Sequence, residues 1–214
     1  MVSAGPGPLI CFDLGGVLVR ICRSWEEGLA RAGLDAGRGW SPAASDGEHR
    51  RLVEAYTVGA IDDAAFFSGL ERASGGAYSA EEFRAIHAAW IIGEYTGVAD
   101  ALLELRGAGL TLACLSNTND AHWRTMLGWP ALRALHHRHA SHLMGVAKPD
   151  PAIYDRFARA TGVAPGRIVF FDDLDENIAA ARAAGWDAVR VDHTGDTAAQ
   201  ILGALAERGR LGSA

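Results

Sequence analysis

Three acidic residues, a lysine and a serine hold positions from which they could do chemistry together. They lie in Phe12-Asp13-Leu14-Gly15-Gly16-Val17-Leu18, in Leu115-Ser116-Asn117-Thr118-Asn119, and in Lys148-Pro149 with Phe170-Phe171-Asp172-Asp173. Asp13, Ser116 and Asp172 each follow an apolar run directly, which places them at the C-terminal ends of predicted strands, where open α/β sheets hold their ligands. Asp13 precedes two glycines and is free to turn outward. Carboxylates that converge repel one another unless a hard cation sits among them, so the pattern implies Mg²⁺. Lys148 adds a second positive charge. Ser116 and Asn117 offer a hydroxyl and backbone N–H groups at a helix start, suited to phosphate oxygens. A single strand-end Asp serves equally well as a helix cap. The weight therefore rests on four such elements in order, which together read as a phosphoryl-transfer site. One position departs from that reading: Gly15 stands where a second acid is expected.

These side chains need a scaffold, and the chain supplies one. Leu9 to Asp13, Thr111 to Leu115, Ile168 to Asp172 and Ala188 to Val191 read as strands alternating with helices, the signature of a parallel sheet. Asp150-Pro151 gives an N-cap and a proline at the first helical position, with Gly162 as the stop. A second helix over Glu176 to Ala184 ends at Gly185, and a last one spans about Thr197 to Glu207 before fraying into Gly209 to Ala214. Between about Arg20 and Tyr95 no convincing strand is visible. Leu52, Val53 and Tyr56, then Phe66, Phe67 and Leu70, then Phe83, Ile86 and Trp90 recur at helical spacing. The stretch reads as a helical insert standing over the strand ends as a lid, with residues 37 to 47 as a loop inside it.

Composition narrows the class. The 214 residues are 49% hydrophobic, enough for one domain, or a core with an insert. A net charge of −6 argues against electrostatic binding of nucleic acid. No apolar run approaches the ~18 residues of a membrane span. Met1 to Pro6 lacks a basic region followed by an apolar one, and cytoplasmic residence is expected. Cys11, Cys22 and Cys114 have no metal-ligand spacing and read as reduced thiols, two of them inside predicted strands.

The segments resemble the haloacid dehalogenase superfamily over nearly the whole chain. Asp13-Leu14-Gly15 corresponds to the family's Asp-x-Asp, Ser116 to its strand-end Ser or Thr, Lys148 to its Lys, and Asp172-Asp173 to its acidic pair. Leu-Ser-Asn-Thr-Asn, Lys-Pro-Asp-Pro-x-Ile-Tyr and Val-Phe-Phe-Asp-Asp-x-x-x-Asn look like the bacterial α-glucose-1-phosphate phosphatase group. They also look like the N-terminal phosphatase domain of soluble epoxide hydrolase. The resemblance implies a Rossmann-like, doubly wound α/β core of residues 1–19 and 96–214, with a helical cap of residues 20–95 inserted after the first strand. It implies a Mg²⁺-dependent phosphatase acting on a small-molecule phosphate ester, a sugar phosphate by the group resembled, as a monomer or homodimer. Asp13 would attack phosphorus to form an aspartyl-phosphate that water hydrolyses. The metal would be held by Asp13, the main-chain carbonyl of Gly15 and Asp173, with Asp172 acting directly or through a water. Asn177 would orient the Asp173 carboxylate. Lys148 would neutralise Asp13 and the transferring group, while Ser116 and the N–H of Asn117 hold phosphate oxygens.

Gly15 removes the acid that ordinarily protonates the leaving oxygen, a contribution of roughly 10²–10⁴-fold. The glucose-1-phosphate group also carries Gly there, and an anomeric leaving group is acidic enough to need less protonation. The alternative is a phosphate-ligand-binding homologue with little turnover. A phosphomutase depends on the missing acid, and a dehalogenase carries uncharged residues in place of Asp172-Asp173, so both are weaker readings. His136, His137, His139 and His142 read as a solvated loop and strand edge, Trp90 as insert core, and Trp25 and Trp40 as core or pocket wall. Arg20 could reach a substrate anion or pair with an acid. Glu48 and His49 are stand-ins for the missing acid without a spacing argument.

Overall fold

The computed structural model describes residues 8–44 and 47–211. The leader reading at Met1 to Pro6, residues 45 and 46 of the expected loop, and the tail beyond residue 211 lie outside the described residues. Five parallel strands build the sheet: β1 Leu9–Phe12, β4 Thr111–Ser116, β5 His137–Ala140, β6 Ile168–Asp172 and β7 Asp187–Arg190, in the order β5-β4-β1-β6-β7. The order reverses beside β1, and the crevice at such a reversal is where open sheets bind ligands.

The central strands are apolar on both faces, because both are covered. Ile10, Phe12, Leu112, Cys114, Val169 and Phe171 face one layer of helices, α5 Val98–Gly107 and α11 Thr197–Glu207. Leu9, Cys11, Ala113, Leu115, Ile168 and Phe170 face α9 Pro151–Thr161 and α10 Asp175–Ala183 on the other side. Asp150 caps α9 by accepting from the Ala152 N–H, Pro151 occupies its first turn, and Gly162 ends it in the left-handed region (φ 67°). The cysteines are free and buried. No helix among the described residues is long and apolar enough to cross a membrane.

Between residues 25 and 90 the described elements are helices, α1 Trp25–Ala32, α2 Glu48–Thr57, α3 Asp63–Ala73 and α4 Ala80–Trp90, with short 3₁₀ turns at Ala36–Arg38 and Pro42–Ala44 in the expected loop. They share a separate apolar cluster of Leu29, Trp40, Tyr56, Phe66, Phe67, Leu70, Tyr78, Phe83 and Ile86, with Trp25 and Trp90 half-buried against it. The expectation of no strand in this stretch fails at both ends. Val19–Ile21 (β2) and Ile91–Glu94 (β3) pair antiparallel as a ribbon through which the chain enters and leaves the helices. Segments this short carry too little alternation to register as strands in sequence. The remaining helices are α6 Asp120–Met126, α7 Pro130–Ala134 and α8 Ser141–Met144.

Candidate active site

Register alone brings the strand-end residues together. Phe12 pairs with Cys114 on one side and Phe171 on the other, and the Asp13 N–H donates to the Phe171 carbonyl at 2.8 Å. Asp13, Ser116 and Asp172 therefore leave adjacent strands at the same end, all buried.

Lys148 reaches them from the loop before α9. Its ammonium is fully buried, 2.6 Å from Asp172 Oδ2 and 3.0 Å from Asp13 Oδ1. Asn117 fixes that loop from β4: its Oδ1 accepts the Lys148 N–H and its Nδ2 donates to the Lys148 carbonyl, both at 2.8 Å. This side-chain clamp adds a positioning task to the backbone N–H expected of Asn117. Burial opposes the lysine's charge, yet Asp13 and Asp172 hold its proton above the ordinary lysine range.

The acidic pair divides its work. Asp172 accepts from Lys148, from the Leu174 N–H at 2.8 Å, and from Asn177 Nδ2 at 3.0 Å to each oxygen. Asn177 thus orients Asp172, not Asp173 as the sequence suggested. It sits in the first turn of α10, where helical side chains lean toward the N-terminus and so back onto the end of β6. Asp173 turns the other way and accepts from Arg23 Nη1 at 2.8 Å. Arg23 escaped the sequence analysis, which singled out Arg20; a pairing across 150 positions leaves no local signal. Gly16 makes room for it. Its φ is 81°, and a Cβ there would fall 2.2 Å from Asp173 Oδ2 and 2.5 Å from Arg23 Nη2.

At Gly15 a side chain would be crowded by a single methyl group. A Cβ would meet Ile21 Cδ1 at 3.1 Å, and φ lies outside the left-handed region. Of the suggested stand-ins, Glu48 is exposed and pairs with Arg51 at 3.5 Å. His49 packs edge-on to Trp40 and lines the cavity between α2, α4 and Asn119.

The arrangement suits a hard cation. Asp13, Asp172 and Asp173 are the trio of potential metal ligands that converges among the described residues, each offering an oxygen within 4.8 Å of the others. Asp13 Oδ1 is buried and receives no well-aligned hydrogen bond, the ammonium 3.0 Å away notwithstanding. Burial, reinforced by Asp172 and opposed by Lys148, pushes the Asp13 carboxyl up to about 6. A cation at that oxygen would relieve both the missing partner and the repulsion. The histidines of the β4–α9 segment do not gather. His136 Nδ1 accepts the Leu112 N–H, His139 packs on Phe157, and His142 bonds the Thr118 carbonyl.

The sequence profile of the haloacid dehalogenase-like hydrolases matches residues 8–185. The chain belongs to this hydrolase family. Phosphatase MT3486 of Mycobacterium tuberculosis (strain CDC 1551 / Oshkosh) is 34% identical over 119 residues, 55% of each chain. (S)-2-haloacid dehalogenase 4A of Burkholderia cepacia is 30% identical over 103 residues, 48% of this chain and 45% of that one. The chain thus spans about half the length of these curated relatives. Among solved structures, HAD family enzyme BT-2542 of Bacteroides thetaiotaomicron superposes with a TM-score of 0.80 at 23% identity, covering 92% of this chain and 98% of that one. That enzyme has also been solved with magnesium and inorganic phosphate, a form that superposes at 0.72 over 89% and 96% of the two chains. At such identity the likeness speaks to the fold.

In this family member a cluster of three polar side chains joins α4 to α6 beside the Ser116 loop. Asn119 Nδ2 lies 3.1 Å from His87 Nε2 and 3.4 Å from His122 Nδ1, and His122 Nε2 lies 2.7 Å from the His87 carbonyl. One assignment satisfies all three contacts: the amide donates to both rings and His122 donates to the carbonyl. The rings stack at 3.7 Å. Burial pushes His122 down to about 4 and His87 well below its ordinary value, so both rings stay neutral.

Proposed function

We infer that the chain is a Mg²⁺-dependent phosphohydrolase that removes phosphate from a small organic phosphate through an aspartyl-phosphate on Asp13. The observation that carries this reading is the buried Asp13–Lys148–Asp172 line with Asp173 beside it, held at the ends of adjacent strands. Asp13, the Gly15 carbonyl and Asp173 would hold the ion, with Asp172 contributing through a water, since donors already surround its oxygens. When bound, the ion supplies a positive charge opposite the phosphoryl oxygens.

The chain's own groups do the rest. Asp13 Oδ attacks phosphorus and the leaving oxygen departs; Lys148 offsets the charge on Asp13 and on the phosphoryl group. The Ser116 hydroxyl and the Asn117 N–H hold phosphoryl oxygens, and water then cleaves the acyl phosphate. Residues 20–95 act as a cap over the core of residues 1–19 and 96–214, excluding bulk water during transfer. A dehalogenase reading must place two charged acids, Asp172 and Asp173, where its chemistry uses neither. Ile21 in the space beside Gly15 favours a second reading, a phosphate-ligand-binding protein with little turnover.

Phosphate release from a panel of monoesters, with Mg²⁺ present and chelated, separates the two. The expected result is release that needs Mg²⁺ and falls by about 10³-fold or more in Asp13→Asn. Ligand-induced thermal stabilisation without release would establish the binding protein instead.

A further inference from the structure

The insert and the core enclose a cavity whose walls differ from what a sugar phosphate needs. It has a volume of about 270 Å³. Trp25, Phe66, Leu70, Phe83 and Trp90 line its insert side, and Asn119 and His122 close it on the core side. Asn119 caps α6 three positions beyond Ser116, so the loop that carries the candidate phosphate-binding hydroxyl also forms the cavity floor.

Most of the surface this lining presents is apolar, and its polar side chains besides the tryptophans are His49, Tyr56, Thr57, His87, Asn119 and His122. The Tyr56 hydroxyl donates to Asp63 at 2.6 Å, Asn119 engages one ring nitrogen each of His87 and His122, and His122 Nε2 engages the His87 carbonyl. Trp25 Nε1 is a buried donor without a partner. A ring of hydroxyls moving into this space would lose its water partners and gain few in return. A flat aromatic group would lie among aromatic side chains that favour edge-on and offset contact, and a volume near the lower end of small-molecule sites suits one or two rings.

Gly15 fits an acidic leaving group of either kind, phenol or anomeric sugar, and leaves the choice between them to the cavity wall. With glycine at position 15, and Ile21 Cδ1 close to where a Cβ would stand, this loop position presents no acid to the leaving oxygen. A phenolate departs without protonation far more readily than an alkoxide. We propose that this cavity holds the alcohol half of the substrate, and that this half is a phenol: the enzyme acts on aryl phosphates. The assignment rests on the phosphohydrolase reading above, and it replaces the sugar suggested by sequence with an aromatic group.

Two measurements test it. First, kcat/KM is compared for phenyl phosphate, glucose 1-phosphate and a carboxylate-bearing alkyl phosphate. Phenyl and anomeric esters both have acidic leaving groups, so their difference reports the pocket. Phenyl phosphate is expected to lead by at least about tenfold, the scale on which apolar pockets discriminate. Preference for glucose 1-phosphate or for the carboxylate-bearing ester overturns the proposal. Second, binding of the non-hydrolysable phenylphosphonate and of inorganic phosphate is measured by calorimetry with Mg²⁺ present. The protein as it stands is compared with Val53→Trp, which fills the cavity from a residue already 37% exposed. Tighter binding of phenylphosphonate than of phosphate, lost in the variant, supports the pocket even if no ester is turned over, in which case only the hydrolase reading fails. Equal binding of the two anions by the unsubstituted protein overturns the pocket whether or not the variant folds.

Discussion

Restoring an acid at position 15 tests why the site lacks one. Gly15→Asp alone is crowded. Its Cβ would lie 3.1 Å from Ile21 Cδ1, closer than carbon atoms ordinarily pack, while the next nearest atoms, Ile21 Cγ1 and Cγ2, lie 3.9 Å away. Because φ at Gly15 lies outside the left-handed region, the obstacle is that one methyl and not the backbone. Ile21→Val removes it at a cost of about 0.5–1.5 kcal/mol for the lost methylene. Gly15→Asp with Ile21→Val should therefore fold nearly as well as the parent. Gly15→Asp alone should lose about 1–3 kcal/mol to overpacking.

The functional effect is a ratio of two rates. A positioned general acid contributes roughly 10²–10⁴-fold where the leaving group is strongly basic, or about 3–5 kcal/mol of barrier. A phenol near pKa 10 gains little from it, and an alkanol close to water's value of about 15.7 gains most. The parent should thus favour phenyl over propyl phosphate steeply, and the double variant should narrow that preference by about 100-fold or more. Paired kcat/KM values in both proteins, with urea unfolding as the check on folding, give the answer. An unchanged ratio in a folded double variant would refute the reasoning, because another group would then already supply the proton.

The buried charges make two further predictions. Lys148→Met strands Asp13 and Asp172 without their shared counter-charge, so the Mg²⁺-free protein should lose about 3–5 kcal/mol in urea unfolding at neutral pH, with Mg²⁺ recovering part of it. A loss under about 1 kcal/mol would rank the pair with surface ion pairs and contradict its role. Asp13 in the free protein titrates at about 6, raised above the usual carboxylate range. Since a cation binds only the deprotonated form, Mg²⁺ affinity by calorimetry should fall about tenfold per pH unit below that value and level off above it. Affinity that stays flat across about pH 5 to 7 would show that Asp13 does not titrate there, or does not hold the ion.

The sheet was readable because β1, β4 and β6 are short apolar runs buried on both faces, and because β7, exposed at Asp187 and Arg190, still follows a helix stopped at Gly185. Val19–Ile21 and Ile91–Glu94 escaped because three or four residues of mixed burial show no period. His137–Ala140, with two histidines and an arginine, is an edge strand whose composition resembles a loop. The site was readable as a set of residue types at strand ends. It was not readable as a set of partners.

The pair Asp172-Asp173 shows why partners stay hidden. In sequence the two acids are interchangeable, and either could face Asn177, Lys148 or a cation. Strand geometry separates them, because successive side chains leave a strand on opposite faces. Asp172, still within β6, turns toward Lys148 and Asn177 and is saturated by donors there. Asp173, one residue beyond, turns toward Gly16 and the ribbon leading into the helical insert, where Arg23 meets it. The first acid is committed to holding the lysine, and the second is held by a single exchangeable guanidinium, 35% exposed. On the proposed ligand set, a cation arriving at Asp13 would compete with Arg23 for Asp173 and would leave the Lys148–Asp172 pair intact. That contest would link the ion to the segment between β2 and α1, since Arg23 lies two residues past the end of β2.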